Sequence, residues 1–102
     1  MKYLLSITIQ NPEDKSEVVE RQYLAEFYKS GASDYGNGYG MSFDTFENGK
    51  TTSEWQAYDL RYDIDFDENH PELWLTDFAY HYWSGEQGSY DIIKLSIEKM
   101  NE

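Results

Sequence analysis

The chain has 102 residues, no cysteine, eight Lys and Arg against twenty Asp and Glu, and a formal net charge of −12. That length holds one domain, residues 1–102, able to bury a core without staples, and the missing cysteine excludes disulfides and thiolate metal sites. The charge repels nucleic acid and anionic membranes and attracts basic surfaces. Ten Tyr, three Trp and five Phe set the chain apart from acidic disordered sequences, which are poor in aromatics.

Residues 2–10 mix apolar residues with Ser6 and Thr8 and run into Asn11-Pro12-Glu13-Asp14 without a small-residue cleavage site. They predict a first strand and not a secretion signal; no apolar run reaches membrane-spanning length, and the expectation is a mature cytoplasmic protein. Asn11-Pro12-Glu13-Asp14 reads as a helix start, with Asn as cap, Pro at the first helical position and acids in the first turn. Val19, Tyr23 and Phe27 then recur at i+4 beside Leu24 and Tyr28, the stripe of an amphipathic helix. The segment also alternates as a strand, with Val19, Tyr23, Ala25 and Phe27 on one side; its Glu, Gln, Lys, Arg, Ala and Leu content tips the reading to a helix over residues 12–29.

Residues 30–40 are a glycine-rich loop without the Lys and the strand–loop–helix context of a phosphate cradle. Residues 41–46 predict a short strand, and Asn48-Gly49 is the strongest short-range hairpin signal. The next strand is expected over residues 53–66, broken by Asn69-His70-Pro71. Residues 73–83 read as a strand with Trp74, Thr76, Phe78, Tyr80 and Tyr82 on one alternating face. After a turn over residues 84–89, residues 90–100 form the last strand. The expected fold is α+β, an antiparallel sheet of about five strands with one helix from the N-terminal half packed on it. An all-β meander is the alternative.

Charge is concentrated between Lys50 and Lys94. In that interval Arg61 is the only Lys or Arg, against Glu54, Asp59, Asp63, Asp65, Asp67, Glu68, Glu72, Asp77, Glu86 and Asp91, which makes a local field and not merely solubility. Residues 58–67 alternate without error: Tyr58, Leu60, Tyr62, Ile64 and Phe66 on one face, Asp59, Arg61, Asp63, Asp65 and Asp67 on the other. Same-face residues of a strand repeat about every 6.8 Å, a pitch comparable to the spacing of phosphates along one DNA strand. The alternative is a strand blunted by charge against edge-to-edge aggregation.

Asp63-x-Asp65-x-Asp67 opens like a calcium loop, but the sixth and twelfth positions hold Glu68 and Trp74 instead of Gly and Glu. His70 and His81 lack paired ligand spacing. No nucleophile–base constellation and no marked carboxylate pair is present, so the expectation is a binding protein, not an enzyme, with no metal and no cofactor. Eighteen aromatics exceed what one small core comfortably buries, and Trp and Tyr are enriched at interface hot spots. The candidate partner-binding residues are the acids Glu54, Asp59, Asp63, Asp65, Asp67, Glu68 and Asp77 and the aromatics Tyr35, Tyr39, Trp55, Tyr80 and Tyr82.

Small size, strong acidity, no cysteine and this aromatic content together resemble the virus-encoded DNA mimics, among them anti-CRISPR and anti-restriction proteins and uracil-DNA glycosylase inhibitors. Residues 91–99, Asp-Ile-Ile-Lys-Leu-Ser-Ile-Glu-Lys, are similar to the C-terminal strand of one such glycosylase inhibitor, over about a tenth of the chain. The resemblance implies a stoichiometric inhibitor of a nucleic-acid-binding host defence enzyme, with a basic protein as partner, no direct binding of nucleic acid and no membrane. Immunity proteins that neutralise basic nuclease toxins share the same composition and are the alternative. A homodimer stays open.

Overall fold

Alternation of buried and more exposed positions organises the sheet. The computed structural model describes residues 1–29, 38–57, 60, 66–86 and 88–100, with residues 54–57, 85 and 86 described by backbone alone. Among these, Tyr3, Leu5, Ile7 and Ile9 of β1 (Lys2–Asn11) are buried on one face and Ser6 and Thr8 lie on the other. The same alternation continues in β2 (Asp14–Lys29) through Tyr23, Ala25 and Phe27, and in β3 (Tyr39–Glu47) through Met41 and Phe43. With β4 (Lys50–Ala57) and β5 (Asp91–Lys99) they form a five-stranded sheet of order β4-β3-β2-β1-β5, every neighbour antiparallel. Alternation of this kind belongs to a sheet covered on one side only.

The cover comes from the connection between the two edges. The chain leaves β4 at one edge and enters β5 at the other, and between them runs α1 (Pro71–His81), continued by a wider π-type turn over Tyr82–Glu86. Trp74, Leu75, Phe78, Ala79, Tyr82 and Trp83 are buried against the apolar face of the sheet, and Leu60 and Phe66 join them. Phe43 is the joint between the layers: its ring stacks on Tyr23 at 4.6 Å and meets Phe78, Tyr82 and Trp83 edge-on at 5.0, 5.6 and 6.2 Å. Such aromatic pairs contribute about 0.5–1.5 kcal/mol each beyond the area they bury. No described helix is long and apolar enough to cross a membrane.

The fold is α+β as expected, but its helix lies in the C-terminal half and not in the N-terminal half. Residues 14–29 are strand β2, and Asn11-Pro12-Glu13-Asp14 is the β1–β2 turn. Asn11 Oδ1 accepts the Glu13 N–H at 2.9 Å, and Asp14 Oδ1 accepts the Ser16 N–H and hydroxyl at 3.1 and 2.6 Å. The residues that looked like a helix cap are closing side-chain turns, which Asn and Asp do equally well. Paired on both sides, β2 obeys its alternation over its composition. Conversely, residues 73–83, read as a strand, are helical. Pro71 stands at the start of the helix, where its missing N–H costs nothing, and Leu75 and Ala79 are buried beside Trp74 and Phe78, a helical stripe and not a strand face.

The Asn48-Gly49 hairpin is as read: φ is 55° at Asn48 and 76° at Gly49, the two positive values that a type I′ turn requires. The following strand is described over Lys50–Ala57 instead of 53–66. Residues 58, 59 and 61–65, which carry most of the Asp row, lie outside the described residues. Leu60 and Phe66, on the apolar side of that row, are buried, and Phe66 N–H donates to Leu60 O at 3.2 Å.

Candidate partner-binding surface

Charge divides between the two layers. Residues 66–86, the helical side, carry Asp67, Glu68, Glu72, Asp77 and Glu86 and neither Lys nor Arg. The strands carry both signs: Lys2 on β1; Asp14, Glu17, Glu20 and Glu26 with Lys15, Arg21 and Lys29 on β2; Asp44 and Glu47 on β3; Lys50 and Glu54 on β4; Asp91 and Glu98 with Lys94 and Lys99 on β5.

The acidic side begins at a shoulder before α1. Phe66 is buried between Phe27 and Tyr39, with ring centroids at 4.9 and 4.8 Å, and this anchors the exposed Asp67 and Glu68 that follow. Asp67 shapes the turn into the helix: its Oδ1 accepts the Asn69 N–H at 2.9 Å and its carbonyl the His70 N–H at 3.0 Å. The Tyr39 hydroxyl donates to the Glu68 carboxylate, and this bond, with partial desolvation and the negative charge of Glu68 and Asp67, holds the Tyr39 pKa above the usual tyrosine value. His70 Nδ1 lies 3.6 Å from Glu72 Oε1 in the open. The fold thus brings three of the expected residues, Tyr39, Asp67 and Glu68, into one half-exposed cluster.

The helix presents two flanks. Glu72, Thr76 and Tyr80, four residues apart, line a groove of about 460 Å³ against Ile92, Leu95 and Ile97 of β5. Tyr80 is 54% exposed there. On the opposite flank Asp77 is half-buried, with Oδ1 3.7 Å from His81 Nε2. Asp77 Oδ2 is buried and accepts no hydrogen bond. Tyr82 is not a surface residue: it is 2% exposed and packs on Phe78 at 5.3 Å and Trp83 at 4.9 Å. Reading residues 73–83 as a strand placed Tyr82 beside Tyr80; in the helix it falls two positions further round, on the core face.

Glu54 and Trp55 lie in β4 and are described by backbone alone. Trp55 is opposite Phe43, and the ladder skips Glu54. Tyr35, Asp59, Asp63 and Asp65 lie outside the described residues. Among the described residues no group of three His, Asp or Glu side chains is placed to hold a metal ion.

One surface was missed in the sequence. The uncovered face of the sheet carries a shallow cavity of about 750 Å³ lined by Ser6, Thr8, Glu20, Gln22, Phe46 and Lys94, among others. Gln22 Nε2 donates to Ser6 Oγ across β1 and β2 at 3.1 Å. Its signal was the polar half of the β2 alternation, Glu20, Gln22 and Glu26, which the helical reading of residues 12–29 dispersed around a cylinder.

Comparison with protein families, with characterised proteins and with solved structures finds no match to this chain.

Proposed function

We propose that this chain is a stoichiometric inhibitor that sets its acidic helical side on the basic, nucleic-acid-binding surface of a partner, a host defence nuclease, in the cytoplasm where that enzyme works. The observation that carries this reading is the one-signed helical side: Asp67, Glu68, Glu72, Asp77 and Glu86 without a Lys or Arg between residues 66 and 86. Carboxylates that no neighbouring Lys or Arg in the sequence offsets steer a basic partner and fix its orientation. Tyr39, held by Glu68, and the exposed Tyr80 supply aromatic anchors of the kind that dominate interface energy. By sequence, Asp59, Asp63 and Asp65 add three more carboxylates just before that interval, with Arg61 among them. Binding nucleic acid directly would require a track of Lys and Arg to neutralise phosphates, and the eight cations are scattered over the chain.

The test is cleavage by purified CRISPR effector and restriction nucleases in the presence of one equivalent of the chain. The expected result is one-to-one inhibition of a target that nucleic acid competes away. It should weaken as salt rises from about 0.05 to 0.5 M, because surface charges are screened over that range. Binding indifferent to salt, or a complex in which target, nucleic acid and this chain coexist, contradicts the reading. Inhibition of a toxin nuclease alone would assign the chain to immunity instead.

A further inference from the structure

The β5 edge of the sheet offers a surface of a different kind. β5 is an outer strand, paired only with β1 among the described residues. Met100 N–H donates to Lys2 O at 2.9 Å. In an antiparallel ladder the residues that bond to a neighbour alternate. The even-numbered residues of β5 therefore turn their backbone groups to β1, and Leu95, Ile97 and Lys99 turn theirs outward. An unpaired edge is a template for another strand unless charge, proline or a bulge blunts it. Here the ladder to β1 shifts between Thr8 and Ile9, leaving Ile93 without a β1 partner and 53% exposed, while residues 94–99 run regularly.

Charge also cancels along this edge of the strongly acidic molecule. Asp91 and Glu98 are matched by Lys94 and Lys99, and no ion pair among the described residues engages Lys94 or Glu98. Antiparallel pairing of β5 with a second β5 must place outward residues opposite outward residues. With Ser96 on the two-fold axis, Leu95 faces Ile97 of the other copy in two bonded pairs. Lys94 then faces Glu98 of the other copy twice, in the closer, non-bonded positions. One step either way puts Lys94 opposite Ser96 or Met100 and loses both charge pairs. The groove between α1 and β5, where Ile92, Leu95 and Ile97 meet Glu72, Thr76 and the exposed Tyr80, lies along this same edge. The two-fold axis stands perpendicular to the sheet, so both helices fall on one side of it.

We propose that the chain forms a symmetric dimer through β5, in the register that sets Lys94 against Glu98 of the second copy, giving one continuous sheet. The partner is a second copy because the edge complements itself in charge and in apolar character, and this holds whether or not the acidic side inhibits a nuclease. Sedimentation equilibrium of the full chain tests it. The wild type should dimerise with a Kd below about 100 μM. Lys94→Glu alone and Glu98→Lys alone each place two like-charged pairs at the seam and should weaken association at least tenfold. Lys94→Glu with Glu98→Lys exchanges the charges and should restore it. Both side chains are exposed, and circular dichroism checks that each variant folds. A wild type that stays monomeric at that concentration, single reversals without effect, or an exchange that fails to restore the dimer would each overturn the proposal.

Discussion

The helical layer and the strands treat charge differently. Along the strands, acids alternate with cations and neutral polar groups: β2 carries Glu20 and Glu26 with Gln22 on its open face and Arg21 and Lys29 on the face of Tyr23 and Phe27. On the helical side five acids follow one another without a Lys or Arg, although the same stretch supplies the largest buried rings of the core, Trp74, Trp83 and Phe78 among them. A layer that sends large rings to the inside and carries acids but no Lys or Arg is doing two separate things. Fold stability rests on its apolar face, and the field around the molecule rests on the other. The two properties should therefore respond to different substitutions.

The largest effect is expected where the layers join. Phe43→Ala removes the ring that contacts Tyr23, Phe78, Tyr82 and Trp83. It should cost about 3–5 kcal/mol, read from the midpoint of chemical denaturation. A loss under about 1 kcal/mol would mean that the helix does not dock on the sheet as described. Next comes charge. Glu68→Lys with Glu72→Lys on the helical side, and Glu20→Lys with Glu26→Lys on the sheet, change net charge equally. The first pair should weaken binding of the inhibited nuclease roughly tenfold or more and the second only a few-fold, with denaturation midpoints within about 0.5 kcal/mol of wild type for the sheet pair.

The sequence carried more of this than the exchange of helix and strand suggests. Val19, Tyr23 and Phe27 and, in α1 and its continuation, Trp74, Phe78 and Tyr82 are both spaced by four, and four residues satisfy a period of two as well as one of 3.6. Only the residues between decide. Leu75 and Ala79 are apolar where a half-buried strand would be polar, whereas Gln22 and Glu26 are polar where the strand's outer face needs them. Likewise each proline has an Asn or His before it and a Glu after it; Pro12 closes a hairpin and Pro71 opens a helix. The difference lies in what the flanking strands can pair with, which local chemistry does not contain. The acidity of the helical side was legible as a count. The grouping of Tyr39 with Glu68 was not, because it depends on β3 passing beside the approach to α1.

Smaller effects sharpen the division. Gly49→Ala forces a Cβ onto a backbone at φ +76° with nothing within 4 Å to obstruct it. It should cost about 1 kcal/mol of stability through backbone strain alone, with nuclease binding unchanged. Loss of binding there would mean that the β3–β4 hairpin belongs to the interface. The smallest effect is a titration. The raised Tyr39 pKa means the fold favours the neutral phenol. That contribution to stability is complete below the ordinary tyrosine value and is lost as pH climbs through the folded one. By ultraviolet difference spectroscopy, Tyr39→Phe should remove a late-titrating tyrosine, and Glu68→Ala should bring that tyrosine back toward its ordinary range. A component removed at the ordinary position would mean that the hydroxyl does not bond Glu68.

Competition decides whether the acidic helical side takes the place of nucleic acid on a basic partner. A labelled oligonucleotide is held on the inhibited nuclease and the chain is titrated in, with fluorescence polarisation as the readout. The account predicts full displacement by about one equivalent, retained by the Glu20→Lys, Glu26→Lys variant, lost in the Glu68→Lys, Glu72→Lys variant, and no signal from chain and oligonucleotide alone. Polarisation that stays high at saturation, equal loss in both variants, or binding of the oligonucleotide by the chain itself would contradict it.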